Sequence, residues 1–262
     1  MRLVPMNRFT SVTTKQQPYG SATAHTMTAS QIKPLPDEQE RTVKAMTVQQ
    51  VEAARYAVLR RLAPSLRHQM VRPLQPISLI YGVMHHKLSA AQPDLQSVRQ
   101  EAQKINDFAK AAIDECMDMG TWLSPEPEVL TRIDTGIKEC VGLLATMLHF
   151  CGFRLTNEVE TLPVMVRQDD VRTVLSAALL AITDSMTQPA ALVIRATTDT
   201  AGVTLSVHTT PSGEGSTNIY DDGYRRLTWD DVQALAAAAG ITLVQQDRLV
   251  TMRFAVAQPA IA

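Results

Sequence analysis

From Val51 onward the apolar positions recur at intervals of mostly three and four: Val51, Ala54, Val58, Leu59, Leu62, Leu66, Met70, Leu74, Ile77, Ile80, Val83 and Met84. That spacing predicts a long helix starting at Thr47. Pro64, Pro73 and Pro76 interrupt it, so the helix is expected to be kinked rather than straight. Lys87 to Pro93 closes the segment with a short turn. A second helical pattern follows: Leu95, Val98, Ala102, Ile105, Phe108, Ala109, Ala112, Ile113, Cys116, Met119 and Trp122. Two long helices joined by a short loop form an antiparallel hairpin. Its wide apolar stripe needs a cover. Pairing of two hairpins into a four-helix bundle about a two-fold axis supplies one, which predicts a homodimer. The alternative cover is the chain's own C-terminal domain.

Residues 1–45 are rich in Thr, Ser, Gln and Pro and carry no periodicity, which predicts a disordered tail. The hairpin occupies 46–123. Ser124-Pro125-Glu126-Pro127-Glu128 reads as a stiff polar linker over 124–128. A second domain is expected over 129–258, with elements that alternate in type. Ile133 to Phe150 is helical and ends near Gly152. Arg154–Val159 and Thr161–Val166 are short strands, and Asp169–Met186 is an apolar helix. Ala191–Thr197 and Gly202–Thr209 are strands around the turn at Asp199–Gly202. Thr228 caps a helix that ends at Gly240. Ile241–Gln246 and Arg248–Val256 form a terminal hairpin. The expected class is α+β: a helical hairpin followed by helices packed on one sheet.

Composition adds bounds. The chain has 262 residues, of which 45% are hydrophobic and 5% aromatic, with a net charge of -1. No global field favours nucleic acid. No apolar run approaches the roughly 18 residues that cross a bilayer, and the N-terminus has no apolar core of a secretion signal. Cys116, Cys140 and Cys151 have no metal-ligand spacing and read as buried thiols of a cytoplasmic protein. No His, Cys or Asp set predicts a metal site; Asp184, Asp221 and Asp222 read as solvated loop carboxylates. His85 and His86 read as surface residues near the hairpin tip.

One histidine stands apart. His68-Gln69-Met70-Val71-Arg72-Pro73-Leu74 places a proline five residues after a histidine within the helical pattern. The proline removes a backbone donor and bends the helix beyond the histidine. This segment resembles the phospho-acceptor box of two-component histidine kinases, in which a histidine is followed by an acidic residue and, further on, by Pro-Leu. His68, Pro73 and Leu74 match; Gln69, Val71 and Arg72 depart from it. The element order of the C-terminal domain resembles the ATPase domain of the same kinases, the Bergerat-type (GHKL-like) fold. The strand Arg154–Val159, the dipeptide Leu162-Pro163 and the helix opening at Asp169 or Asp170 carry that likeness. Together the two resemblances span about residues 50 to 257.

The resemblance implies a nucleotide site, and its residues are missing here. The Mg²⁺-binding asparagine falls near Ile182. Thr209 stands where an Asp would bond adenine, and Pro211 replaces the first glycine of that box, leaving Gly213. The glycine-rich lid is reduced to Gly223. ATP and Mg²⁺ binding are therefore expected to be lost, and no cofactor is expected. Gln69 also lacks the acidic group that acts as base in an autokinase. What remains is phosphotransfer. His68 would take a phosphoryl group from a receiver aspartate and hand it to a response regulator, as in dimeric histidine phosphotransferases. Arg67 and Arg72 flank the histidine and can neutralise phosphate. With Arg60 and Arg61 they make a basic helix suited to an acidic receiver pocket. A solvated arginine face is the bland alternative. A nucleic-acid contact lacks interleaved aromatics. Two other readings of the whole chain remain: a pseudokinase scaffold without phosphoryl chemistry, and a divergent active sensor kinase.

Overall fold

The computed structural model describes residues 36–126, 128–200, 202–212 and 224–257, with side chains from residue 47. The chain divides into two compact units, Met1–Glu40 and Arg41–Ala262. Of the first, residues 36–40 are described, and they are helical. The second unit carries the architecture below.

Helix α1 (Pro36–Val71) starts inside the stretch expected as a tail, not at Thr47. Proline is tolerated at a first helical position because its missing N–H would have no helical partner there. The helix runs through Pro64. It does not kink at Pro73 but ends before it. The Arg72 amide donates to the His68 carbonyl at 3.0 Å. The Gln69 carbonyl would next need an N–H from residue 73, and proline has none. A turn over 72–74 follows, and α2 (Gln75–Leu88) starts afresh with Pro76 in its first turn. Asp94 then caps α3 (Leu95–Leu123), accepting from the Gln96 and Ser97 amides at 3.0 and 3.2 Å. Helices α2 and α3 pack against each other as the expected hairpin.

The remaining elements are β1 (Leu130–Arg132), α4 (Ile133–Phe150), β2 (Phe153–Asn157), β3 (Met165–Arg167), α5 (Gln168–Ser185), β4 (Ala190–Asp199), β5 (Gly202–Pro211), α6 (Trp229–Ala238), β6 (Thr242–Gln246) and β7 (Leu249–Ala255). The large sheet has the order β2-β4-β5-β7-β6; β2 runs parallel to β4, and the other pairs are antiparallel. Strand β1, which has no counterpart in the expected elements, pairs with β3. Gly202 is required where β5 begins: a Cβ there would lie 2.3 Å from the Phe254 carbonyl oxygen on β7. Thr228 caps α6 as expected, in a reciprocal capping box with Asp231.

Alternation along β5 and β7 sends Val203, Leu205, Val207, Val250, Met252 and Phe254 into one face, where α4, α5 and α6 lie side by side. Helix α5 is the centre. From Val171 to Thr183 every residue but Thr173 is buried. A helix apolar on all sides needs a cover beyond its sheet. Helix α1 provides it: Ala54, Ala57, Val58, Leu62 and Leu66 join the same buried cluster. This half of the expected dimer stripe is thus covered by the chain's own C-terminal domain. The molecule is an α+β protein with a helical N-terminal part and a sheet-based domain.

Candidate functional site

Position along α1 decides which of its arginines face the domain. At 100° per residue, Arg61 falls within about 60° of the buried Ala54, Ala57 and Val58. Arg61 is accordingly buried, and its two terminal nitrogens donate to both carboxylate oxygens of Asp184, each at 2.8 Å. Asp184 Oδ2 also accepts the Leu227 amide at 2.8 Å. Asp184 is therefore no solvated loop carboxylate. It ends α5 and ties α1 to the segment that enters α6. Arg61, for the same reason, is withdrawn from the residues able to meet a phosphate or a partner.

Its neighbours divide between the domain and solvent. Arg55 reaches Asp169 at 3.3 Å near the start of α5, so α1 crosses α5 with one ion pair at each end. Arg60 is exposed and lies over the Tyr224 ring, 5.6 Å from its centroid. Tyr56 meets the same ring edge-on. Arg225 donates to the Ala53 carbonyl and holds Asp231 in a bidentate pair at 2.7 and 2.9 Å.

His68 lies seven residues beyond Arg61, which returns it to nearly the same helical face. It has run past the edge of the domain, however, and is exposed. Arg67 is exposed beside it and Gln69 is half-buried. Arg72 is 68% exposed and touches Glu115 of α3 at 3.3 Å, a contact that solvent weakens. Pro73, by contrast, is buried where the chain turns from α1 to α2. The imidazole thus stands on the last turn of a helix fixed below it, with two solvent-facing guanidinium groups nearby in sequence.

The residues expected at a nucleotide site are placed as follows. Ile182 is buried on α5 among apolar neighbours and has no donor or acceptor to offer a metal or phosphate. Thr209 shares the helix-facing side of β5 with Leu205 and Val207, as an adenine-binding group would need to, but it is a neutral hydroxyl in place of a carboxylate. Pro211 ends β5, exposed. His208 shares its face with Thr204 and Ser206, away from the helix layer. Gly213, Asp221, Asp222 and Gly223 lie outside the described residues. The described residues do not fit Mg²⁺-ATP as the resemblance would require. Among them, no group of three or more His, Cys, Asp or Glu could hold a metal ion.

Two residues that the sequence reading passed over organise the other side of the domain. Arg172 is buried in α5 and donates to Glu139 at 2.8 Å, to Thr121 at 2.6 Å and to Asp118 at 3.1 Å. Its guanidinium also lies 4.7 Å from the centre of the Trp122 ring. The C-terminal end of α3 is held to α4 and α5 by this one side chain. A lone charged residue in the stretch from Val171 to Thr183 was the available signal. Asp134, at the start of α4, is buried, and hydrogen bonds from Arg132 hold its carboxyl below the usual range.

The cysteines divide as well. Cys140 and Cys151 are buried, and burial pushes the Cys140 thiol up to about 12. Cys116 is exposed on α3, contrary to the expectation that all three are buried.

No family model and no curated protein matches the chain. Solved structures give distant likenesses. One is the histidine kinase AdeS of Acinetobacter baumannii, at 12% identity and a TM-score of 0.38, covering 73% of this chain and 98% of that one. Another is the catalytic domain of the histidine kinase ThkA, nucleotide-free, at 12% identity and 0.37, covering 49% and 93%. A third is the blue-light activated histidine kinase EL346 of Erythrobacter litoralis, at 10% and 0.39, covering 64% and 65%. Among the described residues no helix is long and apolar enough to cross a membrane.

Proposed function

We propose that the protein relays phosphate within a two-component pathway, with His68 as acceptor and no ATP-dependent kinase activity of its own. The observation that carries this reading is the exposure of His68 on the last turn of α1, beside Arg67 and Arg72, above a domain with the apolar, buried Ile182 where the resemblance implies a metal ligand. A neutral imidazole nitrogen attacks the phosphorus of a receiver's aspartyl phosphate. The new P–N bond forms as the P–O bond to the carboxylate breaks, and the imidazole N–H proton passes to solvent. The reverse sequence on a second receiver returns the imidazole and leaves an aspartyl phosphate there. Arg67 and Arg72 offset the charge of the phosphoryl group in both steps. Gln69 suits this chemistry, because an acyl phosphate is a high-energy donor whose transfer to the imidazole needs less help from a neighbouring base.

In this reading α2 and α3 pair with a second copy. No residue of α2 is buried by the described residues, while Leu79, Tyr81, Ile113 and Met117 are more than half exposed. Ile113→Glu is expected to halve the mass measured by light scattering and to leave the far-UV circular dichroism unchanged. An unchanged mass for wild type and variant alike, at the monomer value, rules the pairing out.

The decisive assay incubates the full chain with phosphorylated receiver domains. Wild type is expected to acquire acid-labile label, and His68→Ala none. Tight receiver binding without label transfer would favour the scaffold reading. Label acquired directly from Mg²⁺-ATP would overturn the proposal in favour of a kinase.

A further inference from the structure

Where α1, the end of α3, the linker and the start of α5 meet, they line a partly open cavity of about 160 Å³. It lies at the opposite end of α5 from Ile182 and Asp184, so it is not the nucleotide face. Val58, Leu59 and Leu62 of α1, Trp122 and Leu123 of α3 and Pro125 of the linker form its apolar wall. Apolar cavities of about 150 Å³ accept a single aromatic ring. The Trp122 indole is held in place by Arg172, whose own donors are committed to Glu139, Thr121 and Asp118.

Polarity enters the cavity at its rim. There Arg55 and Asp169 face each other through a single contact of 3.3 Å; their side chains are 43% and 19% exposed. Asp169 additionally accepts the Thr173 hydroxyl at 3.0 Å. The two rim charges cancel, so an anionic ligand meets the carboxylate and a cationic one meets the guanidinium. A phenolic hydroxyl satisfies both groups, donating to Asp169 and accepting from Arg55. We propose that this cavity binds a neutral, single-ring phenol, with the ring between α1 and Trp122 and the hydroxyl at the Arg55–Asp169 pair.

The test is calorimetric titration of the full chain with phenol, and with benzoate and benzylamine as charged counterparts of similar size. Phenol is expected to bind one-to-one with a dissociation constant on the order of 1 mM or tighter. Benzoate and benzylamine are expected to bind at least about tenfold more weakly. Leu59→Trp fills the cavity and should abolish phenol binding while the melting temperature is kept. Asp169→Asn should weaken phenol about tenfold and bring benzoate closer to it. Absence of saturable heat up to about 10 mM phenol overturns the proposal. Equal affinity for all three compounds in wild type overturns it too, whatever the folding of the variants. None of these readouts involves His68, so a failed phosphotransfer assay leaves the result unaffected.

Discussion

Helices α1 and α2 are one apolar-periodic run in the sequence and two different objects in the molecule. On α1, Ala54, Ala57, Val58, Leu62 and Leu66 are buried, and one ion pair at each end of α5 pins the helix. On α2, across the turn at Pro73, the same spacing of apolar residues leaves none buried, with Leu74 at 48% exposure and Val83 at 42%. Periodicity states that a face is apolar. It does not state what covers that face. His68 stands close to the boundary, on the anchored helix but beyond the domain that anchors it.

The strongest way to break this contrast is to cut the anchor. Arg61→Ala leaves Asp184, whose side chain is only 10% exposed, without its cation and is expected to cost about 3–5 kcal/mol in chemical denaturation. The matched change Arg61→Met with Asp184→Leu removes both charges and is expected to recover most of that loss. Equal stability of Arg61→Ala and wild type would mean that α1 is not held by the domain.

A gentler pair sharpens the contrast directly. Leu62→Ala is expected to lower stability by about 2–5 kcal/mol, since it empties a filled core position. Leu79→Ala on α2 should stay within about 0.5 kcal/mol when measured at a concentration where the chain is monomeric. If both cost the same, α2 has a cover as complete as that of α1.

The smallest effect depends on pH. Burial raises the Asp231 carboxyl, but hydrogen bonds from Arg225 and from the Thr228 amide and hydroxyl outweigh it and hold the group below its ordinary value of 3.8. The stabilisation this supplies is complete well above that value and disappears as pH falls through the lower, folded-state value. Asp231→Asn is expected to cost about 1 kcal/mol at neutral pH through the weakened cap. It should also flatten the loss of stability on acidification, as followed by thermal melts across that range.

Much of this fold was legible because each longer element carries one period. The helices of the C-terminal domain and its five longer strands follow their patterns to within a few residues. Strand β1 was not legible: three residues cannot show alternation. Nor was the early start of α1, where polar residues give no apolar rhythm. In the site, His68 and its flanking arginines could be read from spacing to the proline. Arg61 could not be told from Arg60 by composition, although its phase with Ala54 and Val58 separates them. The partner, Asp184, lies 123 residues away, and no local pattern connects the two.

The two anchors also make the hairpin a lever. Arg61 fixes α1 and Arg172 fixes the end of α3, while α2 extends over fourteen residues and is tied by Lys87 to Glu101 of α3 rather than to the sheet domain. At 1.5 Å per residue that arm is about 21 Å long. A tilt of about 10° at the anchored end would carry its tip roughly 4 Å, whereas His68, next to the fulcrum, would move very little. A partner bound at the tip and a partner bound at the histidine would therefore sense the same motion at very different amplitude.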